Sequence, residues 1–125
     1  MPEFTGLERA VLTAICDEQP GIAGRLRGLL ATARTLERDN TGHGFYTPFE
    51  VDRSLPYVDW PQRIVSGPNV EVNVASEILL MGFVLWFEDG YPNRLEGFQY
   101  GMRSGGHIDL KVADLSAIAW VRPVS

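Results

Sequence analysis

The residues of this chain that could carry acid–base chemistry are a histidine and a glutamate in two separate segments. His43 lies between Gly42 and Gly44, and Glu96 lies between Leu95 and Gly97. An imidazole beside a carboxylate can act as a general base near neutral pH. A hydrolase-like role would require His43 and Glu96 to converge within about 4 Å, or through one water. A surface histidine in a turn and a solvated or ion-paired glutamate explain the same residues without catalysis.

The composition offers little to a metal ion or a cofactor. His43 and His107 are the two histidines and Cys16 is the single cysteine, whereas zinc sites usually take three or four protein ligands. Cys16 has apolar neighbours on its side of the predicted helix, Leu12 and Ile15, which favours a small buried side chain over a nucleophile. The glycine pairs lack the lysine and hydroxyl residue of a phosphate-binding loop. We therefore expect no metal site and no cofactor.

Four aromatic residues are candidates for a binding surface. Tyr57, Trp60, Tyr91 and Tyr100 each combine an apolar ring with a polar tip, as residues at protein interfaces often do. Two of them lie in the proline-punctuated stretch 52–68, which predicts a long irregular loop, and long loops are often functional. The rings could also line a pocket for a small ligand, or simply belong to an ordinary core.

Length and charge limit the class of protein. The chain has 125 residues, of which 45% are hydrophobic and 22% charged, which predicts a single domain over 1–125 with an apolar core of its own. The net charge of −5 disfavours nucleic-acid binding. The longest apolar run, 78–87, is far shorter than the ~20 residues of a membrane helix. With no secretory signal visible at the N-terminus and one unpaired cysteine, we expect a cytoplasmic protein that does not bind membranes.

Two helices are predicted at the start of the chain. Thr5 and Glu8 have the spacing of a capping box, and apolar residues at helical spacing follow, so the first helix is predicted over 6–17. Pro20 suits the first turn of a second helix, whose buried face would include Leu26 and Leu29.

The remainder of the chain predicts strands. Their expected ranges are 33–38, 44–51, 70–74, 80–88, 94–100 and 117–121, with loops at 52–68 and 101–106. Pro48 has no N–H to donate, so one side of its strand is expected to be unpaired there. The strongest unit is the hairpin around Asp89-Gly90, because this dipeptide is typical of tight hairpin turns. Its first strand is apolar on both faces, which predicts a central position or a contact with a partner chain.

Two segments carry a resemblance to a known group of proteins. The run 40–49, NTGHGFYTPF, resembles a TGxGFYTxF segment, and 82–101 resembles a GFxLFxxDGxxxxLEGFxYG segment. Together they are similar to a family of small bacterial proteins without an assigned activity. The resemblance covers roughly 25–101 and implies a bacterial source and a compact α+β domain, but no reaction.

These observations predict an α+β fold in which two N-terminal helices pack on one face of a four- to six-stranded, mainly antiparallel sheet. The leading functional hypothesis is a non-enzymatic protein-interaction domain, either a homodimer or the binder of another protein. One version is an immunity-type protein that blocks its partner through an acidic surface. The alternatives are a small hydrolase-like enzyme that uses His43 and Glu96 in a pocket roofed by 52–68, and a small-ligand-binding protein with an aromatic pocket.

Overall fold

The structure, a computed structural model, describes residues 4–74, 76–102, 105–107 and 118–124. In this part of the chain, helices α1 (Gly6–Glu18) and α2 (Ala23–Leu30) come first. Eight strands then form one sheet: β1 Arg34–Thr35, β2 Asp39–Asn40, β3 Gly44–Glu50, β4 Ile64–Ser66, β5 Asn69–Val74, β6 Glu77–Glu88, β7 Tyr91–Met102 and β8 Ala119–Val124. None of the described helices is both long enough and apolar enough to cross a membrane.

Helix α1 begins as the sequence predicts. The Thr5 hydroxyl accepts from the Glu8 N–H at 3.2 Å, and the Glu8 carboxylate accepts from the Thr5 N–H at 2.7 Å, so the capping box is confirmed. Helix α2 begins at Ala23 rather than at Pro20. The Ile22 N–H bonds to the Gln19 carbonyl at 3.1 Å, and this separate turn delays the start of the helix.

The sheet is antiparallel throughout its described pairs and curls into a half-barrel. Its main order is β1-β3-β7-β6-β5-β8, while β2 also pairs with β3 and β4 also pairs with β6. The α+β architecture is therefore confirmed, but the predicted count of four to six strands is wrong. The count rises because of two short strands outside the predicted ranges: β2 shares one side of β3 with β1, and β4 shares one side of β6 with β5.

Two of the predicted ranges are corrected by these short strands. The range 33–38 forms a strand only at Arg34–Thr35, and β2 occupies Asp39–Asn40, outside the predicted strand ranges. On this side of β3, residues 47 and 48 have no paired residue in the ladder. The Pro48 carbonyl still accepts from the Leu36 N–H at 2.8 Å, so proline lacks only the donor half of the pairing. The range 52–68 is not wholly irregular, since β4 lies within it and pairs with β6. The last strand was predicted over 117–121, of which residue 117 lies outside the described residues.

The hairpin of β6 and β7 occupies the middle of the sheet, as predicted. Asp89 and Gly90 join the two strands with φ of 54° and 83°, the positive angles that a two-residue type I′ turn requires. Both strands are longer than predicted, and β7 continues to Met102 into a stretch that was expected to be a loop. Bulges shift the register between Leu80 and Met81 and again between Trp86 and Phe87, and bulges of this kind increase strand bending and twist.

The helices cover one face of this sheet and bury the core there. Alternate residues of β6 point toward the helices and are almost inaccessible, among them Leu79, Met81, Phe83 and Leu85. From the helix side, the same cluster is completed by Leu7, Val11, Ile15, Leu26 and Leu29. Each Å² of apolar surface buried in this layer stabilises the fold by about 25 cal/mol, which makes the layer the main source of stability.

A buried ion pair attaches α1 to the sheet. Glu8 is 0% exposed, and its carboxylate accepts hydrogen bonds from the Arg38 guanidinium, at 2.5 Å for the shorter contact, and from the Thr47 hydroxyl of β3. Together with the Thr5 N–H, these donors satisfy both carboxylate oxygens. A buried carboxylate is tolerable only when it is paired in this way, so the network fixes how α1 sits on β3.

Removal of Arg38 should therefore destabilise the fold strongly. We expect Arg38→Ala to lower the free energy of unfolding by about 3 kcal/mol, because it leaves Glu8 buried without its cation. Urea denaturation followed by circular dichroism measures the loss. The control is Arg34→Ala, which removes the 2.8 Å pair with Glu50 at the surface and should cost less than about 1 kcal/mol. Equal losses in the two variants would contradict this assignment.

Gly90 should resist substitution for two independent reasons. Its φ is +83°, and a Cβ atom there would lie 2.8 Å from the Val58 carbonyl oxygen and 2.9 Å from the Tyr57 Cβ. We expect Gly90→Ala to destabilise the protein by about 1–3 kcal/mol in the same denaturation assay. Gly24→Ala is the matched control, since its Cβ meets nothing within 4 Å and alanine favours a helix. The prediction fails if Gly90→Ala is as stable as the wild type.

Candidate functional site

The face of the sheet that points away from the helices carries a group of aromatic residues and one arginine. Residues that alternate with the core positions of β3, β6 and β7 emerge on this side. We call this group the outer aromatic layer; it consists of Tyr46, Trp86, Arg94, Phe98 and Tyr100. Tyr100 is 51% exposed and the other four are half-buried. Among the described residues, no helix covers this layer.

Arg94 lies at the centre of one half of the layer. Its guanidinium carbon is 4.7 Å from the centroid of the Trp86 ring and 4.9 Å from that of the Tyr46 ring. The register places Arg94 directly opposite Trp86 on one side and Pro48 on the other. Cation–π attraction to both rings holds the side chain in place. Its Nε atom is buried and has no hydrogen-bond partner within the described part of the chain.

Glu96 fixes the orientation of Trp86, one of the two rings beside Arg94. Its carboxylate accepts a hydrogen bond of 3.1 Å from the indole N–H of Trp86. Glu96 is opposite Tyr46 on β3 and Val84 on β6. It therefore lies on the same face of β7 as Arg94, two residues farther along the strand. No ion pair joins Arg94 to a described carboxylate. The glutamate therefore positions the tryptophan instead of neutralising the arginine.

The other half of the layer is built over a glycine. A Cβ on Gly82 would lie 2.6 Å from the Phe98 ring and 3.0 Å from the Tyr100 hydroxyl, so only glycine leaves room for these rings to lie across β6. Phe98 and Tyr100 meet edge to face, with 5.4 Å between ring centroids. The Tyr100 hydroxyl and the Asn69 side-chain oxygen of β5 are 3.0 Å apart. Aromatic side chains therefore span the sheet from β3 to β5.

The segment between β3 and β4 is fastened to the hairpin turn. The Tyr91 hydroxyl lies 2.7 Å from the Leu55 carbonyl oxygen and 3.1 Å from that of Arg53, and it can donate its hydrogen to either of them. The Val58 N–H donates to the Gly90 carbonyl at 2.9 Å, and Val58 is 1% exposed. At the start of the segment, Asp52 accepts from the Ser54 hydroxyl and backbone N–H, and these bonds lower the pKa of its carboxyl group.

A cavity of about 420 Å³ opens where this segment meets the outer aromatic layer. The residues that line it include Trp60, Arg63, Trp86 and Arg94. Trp60 is held by its indole N–H, which donates to the Ile64 carbonyl at 2.9 Å. We call this space the hairpin cavity. Its lining combines two arginines and two tryptophans with the acidic residues Glu88 and Asp89.

The predicted catalytic pair takes separate partners. The ring of His43 meets that of His107 edge to face, with 6.1 Å between centroids, and both residues are exposed. Glu96 bonds to Trp86, and no hydrogen bond connects it to His43 among the described residues. In that part of the chain, no group of three or more His, Cys, Asp or Glu side chains could hold a metal ion.

The four predicted binding aromatics fall in different places. Tyr100 belongs to the outer aromatic layer and Trp60 lines the hairpin cavity. Tyr91 stacks under Arg53, whose guanidinium carbon is 4.9 Å from the ring centroid, and so fastens the segment above it. Tyr57 is 58% exposed on that segment, and its carbonyl accepts from Arg25 of α2 at 3.2 Å.

Sequence reasoning did not identify Arg94, Trp86 or Tyr46 as members of one site. A usable signal was present, because Arg94, Glu96 and Phe98 alternate with buried Leu95 and Gly97 along β7. Such alternation shows that they share a face. It does not show which rings from β3 and β6 flank them, since that depends on cross-strand register.

Comparison of the chain with known protein families, with curated proteins and with solved structures returns no match. The assignment of a function therefore rests on the residues and the geometry described above.

Another cavity, of about 650 Å³, lies on the helix side between α1, α2 and β1. Cys16 lines it together with Leu12 and Leu30, and arginines stand around it. Two of these arginines are engaged, since Arg27 pairs with Asp17 and Arg34 pairs with Glu50. Their charges are therefore already compensated, and the cavity presents mainly apolar walls.

The Cys16 thiol should react slowly in the folded protein. Burial raises its pKa, and nearby Arg27 only partly offsets this effect. Its thiolate fraction at pH 8 is therefore lower than that of a free thiol, and the rate of reaction with a disulfide reagent should rise steeply as the pH increases beyond that point. Stability should decline over the same range, because the unfolded chain loses the proton first.

Stopped-flow reaction with dithionitrobenzoate between pH 7 and 10 measures the first effect, with the chain in denaturing urea as the reference. A native rate equal to that of the unfolded chain at pH 8 would contradict the buried, protonated thiol.

Proposed function

We propose that this protein is a non-enzymatic protein-interaction domain and that the outer aromatic layer is its contact surface. The single observation that carries the proposal is the stacking of Arg94 between Tyr46 and Trp86 on the sheet face opposite the helices. These three residue types are the ones that most often dominate the energy of protein interfaces. An arginine already ordered between two rings loses little conformational entropy when a partner binds.

The apolar part of the face supports the same use. Leu80 and Val84 are half-buried on β6 and lie beside the rings of Phe98 and Tyr100 in the cross-strand register. A sheet that needed cover on one side only would carry polar residues on the other. An aromatic and aliphatic layer around a central arginine instead has the composition of an interface core.

We propose a different protein, rather than a second copy of this chain, as the occupant. Each copy carries a net charge of −5, so two copies repel each other on average, whereas a basic partner is attracted. The immunity-type role is one form of such a domain and remains a prediction. The homodimer remains the competing form of the interaction hypothesis, and the experiment below separates the two.

Site-specific photo-crosslinking tests the contact surface. Tyr100 is replaced by p-benzoylphenylalanine in one variant and Tyr57 in another, since both side chains are more than half exposed and only Tyr100 lies in the layer. Irradiation in extract of the source cells should give a discrete adduct from position 100 and none from position 57. Excess wild-type chain should compete for that adduct, and excess Arg94→Glu chain should not.

Three results would overturn the proposal. One is the absence of any adduct from position 100, and another is equal labelling from both positions. The third is an adduct for which the Arg94→Glu chain competes as well as the wild type. A product that contains only two copies of this chain would replace the proposed partner with a homodimer.

A further inference from the structure

The hairpin cavity contains an arginine whose charge is not matched by any described carboxylate. Arg94 is held by ring faces on both sides, makes no ion pair with a described residue, and has a buried, unbonded Nε. Buried polar groups in folded proteins nearly always have a partner, so such an atom needs an explanation. The Tyr46 and Trp86 ring centroids lie 4.9 and 4.7 Å from its guanidinium carbon. A guanidinium donates hydrogen bonds in its own plane, so a ligand would bond at its edge.

The surroundings of that edge favour an anion. Arg63 also lines the cavity and adds a second positive charge. Gln62 and Asn93 also line the cavity, and their side-chain amides can donate hydrogen bonds to an anion. Because the cavity is partly shut off from water, a charge-assisted hydrogen bond there is stronger than one at an open surface.

The two carboxylates of the cavity do not remove this preference. Glu88 is paired with Arg53 at 3.2 Å. Asp89 belongs to the hairpin turn, whereas Arg94 is opposite Trp86, farther along the ladder. The negative groups are therefore at the turn end of the cavity, and the positive group between the rings is at the other.

We propose that the hairpin cavity is a binding site for a carboxylate, which forms a forked pair with the edge of Arg94 while Trp60 and Trp86 flank its carbon skeleton. A planar carboxylate matches the guanidinium fork with two parallel hydrogen bonds. A flat or aliphatic skeleton fits the aromatic walls better than a fully hydrated phosphate does. This inference rests on the proposed function in one respect: a partner protein would supply the carboxylate from an acidic side chain, whereas a free organic acid would supply it alone.

Benzoate is the probe, and benzamide is its neutral counterpart of nearly the same shape. Titration of the ¹⁵N-labelled full chain should give saturable shifts with benzoate, with a dissociation constant on the order of 1 mM. The shifts should be largest at the Trp86 indole N–H and at the Arg94 and Arg63 side chains. Benzamide should give none of them.

Three variants make the test specific. Arg94→Met should abolish saturable binding, and Arg63→Gln should weaken it severalfold while leaving the Trp86–Arg94 stack in place. Arg27→Met, on the helix side of the molecule, removes the same charge and should bind benzoate as the wild type does. If Arg94→Met proves unfolded by its amide spectrum, Arg63→Gln and the benzamide comparison still decide. Equal shifts with benzamide, or undiminished binding in Arg63→Gln, would overturn the proposal.

Adding benzoate to the position-100 photo-crosslinking reaction distinguishes the two sources of the carboxylate, a partner protein and a free organic acid. Loss of the adduct at saturating benzoate assigns the carboxylate to the partner protein, and an undiminished adduct assigns the cavity to a free organic acid. If benzoate binds but no adduct ever forms, the carboxylate site stands and the proposed interaction function falls. If an adduct forms but benzoate does not bind, the proposed interaction function stands and the carboxylate site falls.

Discussion

The constraint on which this structure depends is that β6, the first strand of the central hairpin, is apolar on both faces, while the described helices cover only one of them. Its position in the middle of the sheet provides hydrogen-bonded neighbours on both sides, and α1 and α2 bury the residues that point inward. The outward residues cannot all be buried in the same way. Rings laid across Gly82 and an arginine stacked between two rings reduce the exposed apolar surface but do not remove it. The shape of the candidate site follows from that incomplete cover.

Polar contacts determine which face receives the helices. Glu8 belongs at once to the capping box of α1 and to a buried network with Arg38 and Thr47. A carboxylate that is satisfied only when α1 lies against β3 excludes arrangements in which the helix is displaced, because these would leave it buried without partners. On the far face, Glu96 is satisfied by an indole rather than a cation. The two glutamates thus have opposite consequences: Glu8 neutralises Arg38, whereas Glu96 leaves Arg94 without an anionic partner in the described part of the chain.

Local signals in the sequence predicted the parts of the fold that depend on near neighbours. The capping box, the turn at Asp89-Gly90 and the central hairpin are of this kind, since a few adjacent residues determine each of them. Short strands such as β4 were missed because three residues are too few to show a period. The site was predicted least well. Its central contacts join β3, β6 and β7 in a register that bulges alter, and no single segment contains that information. The histidine and glutamate singled out by their chemistry have separate partners, while Arg94 is prominent only through its neighbours.

We infer that Arg94 is ordered between the Tyr46 and Trp86 rings while its charge remains available to a ligand. Nuclear magnetic resonance of the arginine side-chain Nε–H groups in the unliganded protein tests it directly. We expect one Nε–H signal, assigned to Arg94, to be displaced upfield by ring currents and to return toward the position of free arginine in Trp86→Leu. An Arg94 signal at the free-arginine position in the wild-type chain, or one shifted by a carboxylate of the protein itself, would contradict the account.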